Sequence, residues 1–192
     1  MDDGTPIELK LTIDRKNKTA IFDFHGTGKE VLANTNTPKS ITRSAILYSL
    51  RSLIGQDMPL NSGVLIPIEI LIPDGSILSP SKNAAVVGGN VETSQKLVDL
   101  ILKPFNHVAC SQGTMNNFLF GTDKTAYYET ICGGTGAGDG WHGTTVQCHM
   151  TNTRITDVES LEKTYPVILK KFKERKGSGG RGKFNGGNGV VR

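Results

Sequence analysis

The sequence predicts an α+β fold (mixed α/β), with strands and three helices interspersed and long glycine-rich loops. Three observations predict it. Ile7, Leu9, Leu11 and Ile13 alternate with polar residues, the period of a half-buried strand. Thr37-Pro38 opens a run with helical spacing, because proline is pre-set for the first helical position. Strand-like and helix-like segments then follow each other without a strict βαβ rhythm. At 192 residues the chain is long enough to bury a real core.

The elements are expected in this order. Ile7–Ile13 and Thr19–Phe24 form a hairpin around an Asn17-Lys18 turn. Thr37 caps a helix that runs to about Leu53, buries Ile41, Ala45 and Tyr48, and ends at Gly55. Pro67–Ile72 is a short apolar strand, and Pro73-Asp74-Gly75 turns the chain. Val91–Leu102 is a second helix, apolar at Leu97, Val98, Leu100 and Ile101. Asn116–Phe120 and Thr125–Ile131 pair, and Thr144–Met150 is a further strand. Thr156 with Glu159 makes a capping box that starts a third helix near Asp157. Val167–Arg175 is a strand, 176–189 a glycine turn, and Val190–Arg192 opens a strand that the chain does not finish. Only six residues precede the first strand, so the chain reads as a piece of a longer one.

No apolar run reaches the length of a membrane helix, and Met1-Asp2-Asp3-Gly4 is not a secretory leader, so a cytosolic (cytoplasmic) location is expected. Cys110, Cys132 and Cys148 include no Cys-x-x-Cys pair, which argues against a zinc knuckle and for reduced, mostly buried thiols. Nine of the Lys and Arg residues fall within 163–192 against a single acid, Glu174, so the net charge of +4 is carried by that end. A basic end can bind polyanions, but a solvated face is the plainer reading, and no nucleic acid is expected as a partner.

Gly177 to Lys183 matches a phosphate-binding loop, then departs from it: Phe184 stands where Ser or Thr would hold magnesium, and Asn185-Gly186-Gly187 cannot continue as helix. A long hairpin turn, with glycines supplying positive φ, fits better. The same segment has too few Arg and aromatic residues for an RNA-binding tract. The stretch Gly133 to Gly143 lacks a dinucleotide fingerprint. It does hold the only tryptophan, Trp141, beside His142, which suggests a ligand-contacting loop. His142 and His149 stand six residues apart without a third ligand, so no metal site is expected. Arg154 could clamp a carboxylate bidentately, or pair with Asp157 or Glu159. No Gly-x-Ser-x-Gly elbow supports a serine hydrolase.

Longer strings carry a resemblance. Ala84-Ala85-Val86-Val87-Gly88-Gly89-Asn90-Val91-Glu92-Thr93-Ser94-Gln95 is one, and Ser111-Gln112-Gly113-Thr114-Met115-Asn116-Asn117 another. Tyr128-Glu129-Thr130, His149-Met150-Thr151-Asn152-Thr153-Arg154-Ile155-Thr156-Asp157 and Arg175-Lys176-Gly177-Ser178-Gly179-Gly180 complete the set. Together they resemble the hydantoinase B/oxoprolinase family over essentially the whole chain, 1–192, as an incomplete part of its B-like domain. Gly138-Asp139-Gly140-Trp141-His142-Gly143 looks like the eukaryotic members. Bacterial members tend to carry Asp where His142 stands, so a family role for that Asp does not carry over.

The resemblance implies ATP-dependent hydrolysis of 5-oxo-L-proline to L-glutamate, a step of glutathione turnover in the γ-glutamyl cycle. It implies that ATP and Mg are bound by a hydantoinase A-like half of the same chain, that the full enzyme is a homo-oligomer, and that this segment is inactive alone. A histidine- and aspartate-rich stretch upstream in the family has no counterpart here. An unstrained lactam resists hydrolysis, and a phosphorylated carbonyl oxygen makes it an electrophile that water can open. That needs a general base and oxyanion donors. On this reading His142, His149 and Glu129 are the proton-transfer candidates. Asn90, Asn116, Asn117 and Asn152 are donors, Trp141 contacts substrate, and Arg154 holds its carboxylate. Two other readings stay open: a hydantoinase B-type subunit that opens an N-methylhydantoin-like ring, and a non-catalytic fragment whose basic end binds RNA or another polyanion.

Overall fold

The computed structural model describes residues 1–148, 150–151 and 153–192. His149 and Asn152, both named above as site candidates, lie outside the described residues. The chain divides into two compact units, Met1–Phe105 and Asn106–Arg192. The architecture of the described residues is mixed α/β, with three helices and several small sheets.

In the first unit β1 (Lys10–Asp14) pairs antiparallel with β2 (Thr19–Asp23), Leu11 opposite Phe22. The turn is built by Asp14, whose Oδ1 accepts from the backbone N–H groups of Lys16 (2.9 Å) and Asn17 (3.0 Å). Those bonds, that from Asn17 first, hold the Asp14 carboxyl below its ordinary value. Lys18 completes the reversal at φ 55. The chain then crosses through α1 (Lys39–Ile54) to β3 (Ile68–Leu71), which lies parallel to β2. A short 3-10 turn at Ser62–Leu65 precedes β3, two more follow at Val87–Gly89 and Lys103–Phe105, and α2 (Thr93–Leu102) packs on α1.

Details of α1 differ from the expectation. Thr37 is fully buried and its hydroxyl has no partner, so Pro38 in extended conformation is the cap residue. The buried face is Thr42, Ala45, Ile46 and Ser49, spaced three and four apart, whereas Tyr48 is 40% exposed and Ile41 half-buried. Ser49 can sit on that face because its Oγ donates to the Ala45 carbonyl (2.8 Å). Gly55 ends the helix at φ 63, its N–H donating to Arg51 O.

Asn36 organises the loop before α1. It is fully buried; Oδ1 accepts from Val31 N (2.8 Å) and Nδ2 donates to Val31 O, Ala33 O and Ala85 O (2.8, 2.9 and 3.1 Å). Asn36→Ala removes all four of these part-buried bonds and is expected to cost roughly 1–3 kcal/mol. Urea denaturation of the variant checks this.

The second unit starts with a hairpin of β4 (Asn117–Gly121) and β5 (Ala126–Thr130), Phe120 opposite Tyr127. Phe120, Tyr127 and Tyr165 form its aromatic cluster, with ring centroids 4.8 to 5.8 Å apart. Helix α3 (Val158–Thr164) buries Leu161. Its cap is Asp157, whose Oδ2 accepts from Ser160 N (3.3 Å), in place of the Thr156–Glu159 box. The strand expected over 167–175 shrinks to β8 (Lys173–Glu174), paired with β9 (Val190–Val191). Between β5 and α3, β6 (Gly133–Gly134) pairs with β7 (Thr145–Gln147).

Candidate functional site

The glycine-rich segments 133–143 and 176–189 are built against one another. Gly143 N donates to Asn185 O (2.8 Å), Gly187 N to Thr135 O (3.0 Å) and Val146 N to Asn188 O (2.8 Å). Ala109 N donates to Ala137 O (2.8 Å) and brings in the chain before β4. Within 176–189 only Gly177 has a positive φ, 73. The other glycines there serve close approach instead: a Cβ at Gly187 would lie 1.9 Å from Thr144 O, and one at Gly134 2.0 Å from Gly187 O. The segment is therefore a strap packed onto the loop, not a free hairpin turn.

Strap and loop enclose a cleft of about 580 Å³. Glycine backbone forms much of its wall, with Gln112, Asn116, Ser178, Arg175 and Arg181 among its hydrogen-bonding and charged side chains, beside Ser111 and Thr135. Among the described residues no Asp or Glu lines it. Both arginines are exposed at its rim, and neither takes part in an ion pair among the described residues. Asn116 stands at φ 51, a left-handed conformation that asparagine tolerates, and its carbonyl accepts from Ile131 N (3.0 Å). Gln112 donates through Nε2 to Thr114 O (2.7 Å), while its buried Oε1 has no partner among the described residues. The cleft can thus hold an anionic, hydrogen-bonding ligand against close backbone. A larger cavity of about 800 Å³ in the first unit is lined mainly by apolar residues such as Leu11, Phe22, Leu50 and Phe105, which supply no bond-breaking chemistry.

The other sequence-predicted residues scatter. His142 is exposed beside the strap; its Nδ1 accepts from Asn185 N (2.8 Å), which leaves Nε2 carrying the proton when the ring is neutral, and its ring meets Phe184 edge-on. Trp141 lies across Gly138, where any Cβ would overlap its indole. Glu129 is buried in the hairpin: Arg192 Nε lies 3.0 Å from its Oε1, and Tyr127 donates its hydroxyl to Oε2. Burial first, then the bond to Glu129, pushes the Tyr127 phenol above its ordinary value. Asn117 donates to Tyr128 Oη (2.6 Å) and Thr130 Oγ1 (3.3 Å) across the strands. Arg154 is exposed, and the ion pairs of the described residues include none with Asp157 or Glu159. Asn90 belongs to the first unit, where its carbonyl accepts from Ser94 Oγ. Sequence reasoning missed Arg175, Arg181, Gln112 and Ser178 as a group. The resemblance strings contained Gln112, Arg175 and Ser178, but only the fold shows them around one cavity.

The thiols also differ from expectation: Cys110 is exposed, and Cys132 and Cys148 are only half-buried. Among the described residues no group of three or more His, Cys, Asp or Glu is placed to hold a metal ion, and no helix is long and apolar enough to cross a membrane. No helix follows the Gly177–Lys183 loop, so the amides of a phosphate-binding helix start are not present there.

Fold and sequence together define a class. The chain belongs to the hydantoinase B/oxoprolinase family, whose profile matches residues 1–192. Among particular relatives, the 5-oxoprolinase of Dictyostelium discoideum is 63% identical over 100% of this chain, and 5-oxoprolinase 1 of Arabidopsis thaliana is 58% identical over 100%. The chain spans about 15% of the length of each of these relatives. The crystal structure of an ATP-dependent caprolactamase from Pseudomonas jessenii shares the fold, with a TM-score of 0.80 at 21% identity over 95% of this chain and 34% of that one.

Proposed function

We propose that this chain supplies part of the ring-opening site of an ATP-dependent 5-oxoprolinase, and that its arginine-rimmed cleft receives 5-oxo-L-proline. The observation that carries the reading is the acid-free cleft, in a chain 63% identical to a protein named 5-oxoprolinase. The substrate has a carboxylate, a lactam carbonyl and a lactam N–H. Arg175 or Arg181 pairs with the carboxylate through a planar fork. Gln112 Oε1, an acceptor without a partner, takes the lactam N–H. Asn116 donates to the oxyanion that forms when water adds to the carbonyl carbon. His142, next to the strap, is the group here for moving the proton; His149 and Asn152 remain candidates by sequence. The Gly177–Lys183 loop does not fit ATP and magnesium, because it lacks the following helix and the Ser or Thr. On this reading ATP is a substrate handled by a hydantoinase A-like half of a longer protein.

The test replaces the matching segment of the Dictyostelium protein with this chain and measures ATP-dependent glutamate release from 5-oxo-L-proline. Activity is expected in the chimera and not in this chain alone. Arg175→Gln or Arg181→Gln is expected to raise KM about tenfold or more, the loss of a charge-assisted bidentate contact. If Arg154→Ala raises KM while both cleft variants leave it unchanged, Arg154 holds the carboxylate and the cleft assignment is wrong. Preferential opening of an N-methylhydantoin by the chimera would favour the hydantoinase reading.

A further inference from the structure

The pairing of β6 with β7 sets Gly133 opposite Gln147, and the next residues outward are Cys132 and Cys148. Their sulfurs lie 2.7 Å apart, against about 2.05 Å in a disulfide bond, so closure asks for little backbone movement. Both thiols are free and half-buried, and so within reach of a small oxidant. Cys132 also lines the cleft, whereas Cys148 does not. The third thiol, Cys110, is exposed.

We propose that Cys132 and Cys148 are a modification site: a cross-strand dithiol that closes to a disulfide on meeting a peroxide. This inference does not rest on the functional reading above. Burial first, then Cys148, pushes the Cys132 thiol up to about 12. One sulfur of the pair attacks one oxygen of hydrogen peroxide; the O–O bond breaks, one water leaves, and that cysteine becomes a sulfenic acid. The other sulfur then displaces the sulfenic hydroxyl as a second water. Two thiols lose two protons and two electrons, and one peroxide takes them up to become two waters. The bond ties together the two ends of the loop that the strap packs on, and holds one wall of the cleft.

The experiment treats the folded full chain with hydrogen peroxide, denatures it, counts free thiols and maps the linked peptides by mass. The chain holds three cysteines, and the count is expected to fall from three to one, with Cys110 still free and Cys132 joined to Cys148. Cys110→Ser is expected to keep the bridge, and oxidised glutathione is expected to give the same one. Three free thiols after treatment, a bridge that includes Cys110, or separate oxidation of Cys132 and Cys148 without a bridge would overturn the proposal. The wild-type map needs no variant to fold, so a misfolded substitution cannot obscure the result.

Discussion

Glu129→Ala is expected to destabilise the second unit by about 3–5 kcal/mol, the cost of leaving a buried charge without its partner. The side chains of Glu129 and Arg192 are each only 3% exposed, and they meet at 3.0 Å. Arg192 also donates through Nη2 to Thr156 O (2.8 Å), its guanidinium stacks over Phe172 at 5.0 Å, and its Nη1 is buried without a partner. Truncating Glu129 strands that guanidinium and also removes the acceptor of the Tyr127 hydroxyl. The only tryptophan, Trp141, lies in this unit, so its fluorescence in urea follows the unit selectively. A double variant, Glu129→Leu with Arg192→Met, is expected to recover part of the loss, because both charges leave the interior together. The same series decides the role of Glu129. A proton-transfer group would lose turnover as Glu129→Gln in a chimera that stays folded, whereas an ion-pair partner would lose stability first.

Gly187→Ala is expected to unlatch the strap, at about 3 kcal/mol or more, the upper end of overpacking costs. The new Cβ would stand 1.9 Å from Thr144 O and 2.4 Å from its carbonyl carbon, both backbone atoms that no rotamer change can move aside. Gly180→Ala is the matched control. It lies in the same strap, nothing lies within 4 Å of its Cβ, and its φ is not left-handed. That substitution is expected to stay within about 0.5 kcal/mol. Hydrogen exchange of the strap amides and retention of an anionic ligand report the two variants side by side. If Gly180→Ala and Gly187→Ala behave alike, the close approach at Gly187 is not what holds the strap.

How far the sequence could be read depended on whether a signal was local. The β1–β2 hairpin, α2, the β4–β5 hairpin and the Gly55 stop of α1 were all legible, because alternation, helical period and a left-handed glycine act within a few residues. The caps were misplaced. Thr37 and Thr156 are good cap residues by type, but Thr37 is drawn into the core and Asp157 stands one position closer to the N–H groups it serves. The extended strand expected at 167–175 shortened because only Lys173–Glu174 finds a partner, in β9.

The sequence by itself determined the mixed α/β class, three helices and the family, since long ordered strings such as Ala84 to Gln95 leave little to the fold. What the glycines are for was decided by tertiary structure alone. Positive φ can be guessed from a turn, but the contact of Gly187 with Thr144, or of Gly136 with Ala109, joins backbone far apart in the chain. Likewise Arg175 and Arg181 read as part of a solvated charge run until the strap set them around a cleft with Gln112 and Asn116. Charge and residue type are properties of the chain, but a site needs several groups within reach of one ligand, and that proximity exists only once the separate segments are packed together.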